Sequence, residues 1–254
     1  MDRKRREESA IKDRIKEKQN EKSEGMERAV LTRLHLSASA LKYLALLAMT
    51  ADHIAVICRP VPGFRTFGDL AFPLFAFLLV EGFFHTRDRR CYGRRLLLAA
   101  AVSEIPYDLA FSGRWMDAQH QNVCLTFFLA LVAMELLERY GNGIWEKLVL
   151  TAVFCTLTEA AGADGGAWGM GLVIGNSGTN VPRHILFHEK TAGVFMKMIA
   201  AVLIGAFAWQ EPLWVLALTA VCLLLYDGSR GRSRFRSFFY IYYPAHLLVL
   251  YFLS

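Results

Sequence analysis

The stretch LLAMTADHIAVIC, residues 46–58, sets an aspartate beside a histidine inside an otherwise apolar run. About 20 apolar residues cross a bilayer as a helix, and an ionisable group placed there costs several kcal/mol unless it faces other protein or water. Asp52 and His53 lie about ten residues beyond Lys42, or nearly 15 Å at helical rise. Neighbours on a helix diverge by about 100°, so the two cannot serve each other as an i,i+4 ion pair. Each needs a partner on another segment. The run therefore reads as a helix packed in a bundle with a polar interior.

The rest of the chain supports that reading. Of 254 residues, 54% are hydrophobic, yet mean hydropathy is only +0.29. Residues 1–35 account for the difference, because they are charged throughout and carry little aliphatic periodicity. They are expected to be a cytoplasmic tail, a solvated helix or disordered. Residues 36–254 carry apolar blocks near 41–58, 67–84, 94–111, 121–137, 144–162, 192–209, 212–226 and 236–253, with an interrupted one near 165–175. The expected fold is all-α: a polytopic transmembrane helical bundle of about nine spans with a cytoplasmic amino terminus.

Charge tests that count. The net charge of +6 gathers in the tail and in the joints HTRDRRCYGRR (85–95) and SRGRSRFR (229–236). Basic joints of this kind belong on the cytoplasmic side, so an even number of crossings should precede each of them. No aromatic-interleaved basic stripe accompanies them, and nucleic acid is not an expected partner. The five cysteines stand singly without a CxxC pair, which argues against a metal site or a disulfide framework. His184 and His188 share a helical spacing, but two histidines at that spacing fall short of a ligand set, so no metal is expected.

Further ionisable groups accompany Asp52 and His53: Asp69, Glu81, Glu104, Asp108, Glu135, Glu159 and His246. Several have an ordinary structural reading. Asp69 precedes an apolar run and suits a helix N-cap. Glu81 stands near His85 and Arg87 at the end of its block, where an interfacial ion pair is natural. Glu135, Glu138 and Arg139 read as an interfacial helix end, and Glu104 and Asp108 share one helical face. The histidine is harder to dismiss, because imidazole accepts and returns protons near neutral pH. Acyl transfer and proton-coupled transport would both use it, and the residues alone do not choose.

A resemblance does choose. LKYLALLAMTADHIAVI (41–57), GDLAFPLFAFLLVEGFFHTR (68–87), RRLLLAAAVSEIPYDLAF (94–111), NVCLTFFLAL (122–131) and FFYIYYPAHLLVLYFL (238–253), in that order, resemble the TraX family. These are polytopic inner-membrane proteins named for acetylation of F-type pilin, similar to a wider group of membrane-embedded acyltransferases. The resemblance implies an acetyltransferase of the cell (inner) membrane that uses acetyl-CoA and needs no metal. Its acceptor would be an amine or hydroxyl on a pilin-like amino terminus, a surface glycan or a lipid head group. It implies His53 as base or acyl carrier with Asp52 orienting it, and Arg87 with the 85–95 joint meeting the phosphates of coenzyme A. Asp69, Glu81, Asn122, Thr126, Asp164, Tyr243 and His246 would line the binding cavity. Two positions depart from the family pattern. Asp164 is followed by Gly-Gly where Tyr-Gly and an apolar span are expected, and YDG (226–228) replaces Tyr-Asn-Gly. A non-catalytic membrane factor for conjugation or appendage assembly, or a proton-coupled transporter, is the alternative from another class.

Overall fold

The structure is a computed structural model that describes residues 35–177, 213–231 and 238–254. The tail, the block at 192–209, His184 and His188 lie outside these residues. Among the described residues every regular element is helical, apart from two isolated parallel bridges, Leu36 to Tyr226 and Gln121 to Ala163.

The first apolar block becomes α1 (Ala38–His53), capped by the Ser37 hydroxyl on the Ala40 N–H at 3.3 Å. It widens into a π-helical turn over Ile54–Cys58 and stops where Pro60 holds Arg59 in extended backbone. A short α2 (Phe64–Gly68) starts after Gly63, whose φ of 82° suits glycine, and leads into α3 (Ala71–His85). Leu70 holds the cap position of α3 without a side-chain hydrogen bond, so Asp69 is not its N-cap.

The third block is α4 (Arg89–Ser112), opened by the Asp88 carboxylate on the Cys91 N–H at 2.8 Å and closed at Gly113 with φ of 64°. Asn122 caps α5 (Val123–Tyr140), and α6 (Ile144–Ala160) follows a short glycine-containing joint. The interrupted stretch forms α7 (Gly166–Ser177), 12 residues that rise about 18 Å and so cover only part of a hydrocarbon layer. Its approach is close because Gly165 and Gly169 leave room for the Phe72 ring, which a Cβ at either position would meet. α8 (Leu213–Leu224) and α9 (Phe238–Leu253, with Pro244 inside) complete the described chain.

α3 is the hub. One side of it, with Ala76, Leu79, Val80 and Phe83, packs into a core shared with α4, α5, α6 and α7. Its other side, with Leu70, Leu74 and Leu78, packs against Leu41, Ala45, Val215 and Leu247 of α1, α8 and α9. A helix that is apolar all round has to be buried all round. Elsewhere the usual polarity is inverted. α4 turns Leu98 and Val102 outward, 64% and 62% exposed, while Ser103 and Asp108 are buried. Outward apolar faces of this extent suit lipid contact. By length and composition, two of the described helices can cross a membrane, Ala38–Cys58 and Phe64–His85.

Candidate functional site

Helices α1 and α9, from opposite ends of the chain, lie side by side and run in the same direction. Lys42 stands over the Phe239 ring, Thr50 meets Tyr242, His53 meets His246, and Cys58 reaches the Leu250 carbonyl. At the centre, His53 Nδ1 lies 2.8 Å from His246 Nε2. The two ring planes are within 8° of each other with centroids 5.0 Å apart. Face-stacked rings cannot bring atoms much closer than about 3.5 Å, so these rings meet edge to edge in nearly one plane. That is hydrogen-bond geometry suited to passing a proton. Both side chains are buried, and Phe111 of α4 closes one flank of His53 with its ring at 84°.

Asp52 does not orient His53. Its carboxylate turns toward Arg65 of α2, at 3.3 Å from Nη1, and His53 Nδ1 meets His246 instead. The 100° divergence of adjacent helical residues produces this split. Gly68 permits it, since a Cβ there would overlap the Asp52 side chain. Arg65 is the hub of this corner: His53, Asp52 and Asp164 are all within its electrostatic reach, and Asp69 lies near Asp52. Sequence reading passed over Arg65 because it sits in the joint RPVPGFRTFG, where an arginine looks like a solvated loop residue.

A second layer comes from α4, α5 and the joint before α7. Asn122 is fully buried. Its amide donates to the Glu104 carboxylate and, at 2.9 Å, to the Ala100 carbonyl, while its oxygen caps the Cys124 N–H at 3.1 Å. Thr126 donates to the Asp164 carbonyl, and the Asp164 N–H donates to the Gln121 carbonyl at 2.8 Å, which fixes Asp164 against the start of α5. The Asp164 residue itself is exposed. Asp108 accepts from the Asp117 N–H at 2.8 Å through one oxygen. Its other oxygen, one oxygen of Glu104, the Ser103 hydroxyl and the Tyr243 hydroxyl are buried without a hydrogen-bond partner. Unpaired buried polar atoms are uncommon, and four on neighbouring faces mark a space that water or a ligand completes. Just outside this layer, in the α4–α5 joint, Asp117 accepts from the Gln119 N–H, the Ser112 hydroxyl and His120, which holds its carboxyl down at about 2.

The remaining predicted residues stand at the other end of the bundle. Glu81 pairs with His85 at 3.0 Å and accepts from the Tyr226 hydroxyl at 3.2 Å. Arg87 is exposed in the joint after α3. Arg89 clamps Glu135 and Glu138, joining the start of α4 to the end of α5. The start of α1 is tied to the 225–231 joint through Leu36 to Leu225, Asp227 to Leu36, and the Ser39 hydroxyl to the Arg230 carbonyl at 2.8 Å. Arg87, Arg90, Arg94, Arg95, Arg139 and Arg230 thus gather at one end, while Asp52, His53, Asn122 and Asp164 gather toward the other. The length of α3, about 22 Å at helical rise, separates the two groups. Among the described residues no group of three His, Cys, Asp or Glu side chains is placed to hold a metal ion.

An α-helical bundle with apolar outer faces, a basic end and a buried histidine pair is the frame on which comparison with known proteins bears. The chain belongs to the TraX family: the family model described as TraX protein matches residues 37–254. It is also 30% identical over 243 residues to the probable fimbrial assembly protein FimC, serogroup H1, of Dichelobacter nodosus, covering 85% of this chain and 95% of that protein. No solved structure matches the chain.

Proposed function

We propose that this chain is a multi-pass protein of the cytoplasmic membrane that moves an acetyl group from acetyl-CoA to an amine or hydroxyl during assembly of a pilus-like surface appendage. The family and the relative's name support the setting, and the outward apolar faces support the bilayer as its solvent. The observation that carries the chemistry is the in-plane pair of buried imidazoles at the closure of α1 on α9.

In this reading His53 takes the proton from the acceptor's N–H or O–H as that atom attacks the acetyl carbonyl. The new C–N or C–O bond forms, the C–S bond breaks, and His53 returns the proton to the departing thiolate. Asp52, Asp69, Asp164 and Arg65 line the approach to His53, and Asn122, Thr126 and Tyr243 shape the inner wall. Arg87, with Arg90, Arg94 and Arg95, meets the coenzyme's phosphates at the cytoplasmic end. The acyl-bearing arm then has to run along α3 to reach His53, and the acceptor arrives from the far end. A general base of this kind contributes about 10²–10⁴-fold.

The test uses purified protein with labelled acetyl-CoA and a panel of acceptors: a peptide with a free amino terminus, a glycan and an amino lipid. His53→Ala is expected to abolish acetyl transfer while its thermal midpoint stays near that of the unsubstituted protein. Undiminished turnover in that variant overturns the assignment. The second reading, a non-catalytic assembly factor, is favoured by the relative's description as an assembly protein. It predicts no thermal stabilisation by millimolar acetyl-CoA, whereas an acetyl-CoA site raises the midpoint, because binding to the native state stabilises it.

A further inference from the structure

Two hydrogen bonds in series decide where the protons sit on the histidine pair. The Tyr242 carbonyl can only accept, so His246 Nδ1, 3.0 Å from it, carries a hydrogen. Both rings are buried, and a charge there is costly, so each is neutral at rest. A neutral imidazole has one N–H, which leaves a lone pair on His246 Nε2. That lone pair faces His53 Nδ1 at 2.8 Å, so the hydrogen between the rings belongs to His53. His53 Nε2 is then the atom with the available lone pair.

We propose that His246 is a positioning residue that locks His53 in its Nδ1–H tautomer, leaving Nε2 as the base, and that it relays the charge formed there. The catalytic half of this rests on the acyl-transfer reading; the tautomer half does not. When Nε2 of His53 takes the acceptor's proton, the Nδ1 hydrogen passes to His246 Nε2, and the positive charge moves one ring inward. His246 is built to hold it. Its own Nδ1–H already donates to the Tyr242 carbonyl, and the Tyr242 ring lies parallel to it within 9° at 5.1 Å. As the thiolate leaves, both protons shift back: His246 returns one to His53 Nδ1, and His53 Nε2 gives the other to sulfur.

Tyr242 is anchored in turn. Thr50 spends its single hydroxyl hydrogen on the Leu46 carbonyl at 2.7 Å, so the Tyr242 hydroxyl donates to Thr50 at 2.8 Å. This bond crosses from α9 to α1 one turn before the histidines and fixes the plane in which the rings meet. Thr50, Tyr242, His246 and His53 work as one device on two helices.

The experiment is nitrogen NMR on histidine-labelled full-length protein in lipid, with turnover measured on the same samples. In the unsubstituted protein His53 is expected to show a protonated Nδ1 and an unprotonated Nε2. His246→Gln keeps this pattern, because its amide oxygen accepts from His53 Nδ1, but it cannot take the proton and slows transfer about tenfold. His246→Ala removes the lock, lets His53 drift to the Nε2–H form that free imidazole favours, and lowers transfer about 100-fold. A resting His53 protonated at Nε2 overturns the tautomer lock, with no variant needed. A locked His53 with equal turnover in all three proteins overturns the relay. A locked His53 in a protein that transfers no acetyl group leaves the tautomer standing and removes the proposed function instead.

Discussion

At the scale of single residues, the site is defined by polar atoms that the bundle itself leaves incomplete. The Tyr243 hydroxyl is buried and has no partner. Deleting a satisfied hydroxyl usually costs about 1 kcal/mol, whereas deleting an orphan costs little or stabilises. Tyr243→Phe is therefore expected to hold or raise the thermal midpoint while lowering acetyl transfer; a marked fall in the midpoint would show a structural hydroxyl instead. Asn122 is the opposite case. It caps α5 and satisfies Glu104 and Ala100 at once, so Asn122→Ala should cost about 2–4 kcal/mol in chemical denaturation. Asp117 gives the pH dependence. Its folded-state value of about 2 lies below that of an unfolded aspartate, about 3.9. Its stabilisation is thus full above about pH 4 and is lost as pH falls toward 2. Asp117→Asn should flatten the stability profile in that window and leave it unchanged at neutral pH apart from a constant offset.

At the scale of helices, close approach depends on missing side chains. α1 and α2 touch where Gly68 faces Asp52. Gly68→Ala places a methyl into the Asp52 side chain, and overpacking of that kind costs about 1–3 kcal/mol. The variant should also part Asp52 from Arg65, which would appear as weakened acceptor binding before the fold is lost. Helices were the part of the molecule most legible from sequence. The first five apolar blocks coincide with α1 and its π turn, α2–α3, α4, α5 and α6 to within a few residues, because length and apolar composition are local properties. The stretch after Asp164 was less legible, since its glycines look like a break and instead admit Phe72 against α7. The site was legible in part. An aspartate and a histidine in an apolar run announce themselves, and their divergence on the helix already requires separate partners. Which partners they take depends on α9 and α2 closing on α1, a matter of packing between residues 193 apart. No local pattern carries that, and the family resemblance pointed to Asp52 where His246 stands.

At the scale of the whole molecule, charge and direction agree. α1 and α9 run parallel, so an odd number of crossings lies between them, and the 225–231 joint lies beside the start of α1. Single cysteines placed at Arg90 and at Gly63 in a cysteine-free background should react with a membrane-impermeant thiol reagent from opposite faces of sealed vesicles. Labelling of both from one face would break the proposed orientation. The closure of α1 on α9 also sets an order on biosynthesis. His53 precedes His246 by 193 residues, so an emerging polypeptide carries a lone imidazole through all of the elongation between them. In the proposed reading, acylating power is withheld until α9 docks. In that reading a frameshift that removes only α9 would leave a protein that inserts and transfers nothing.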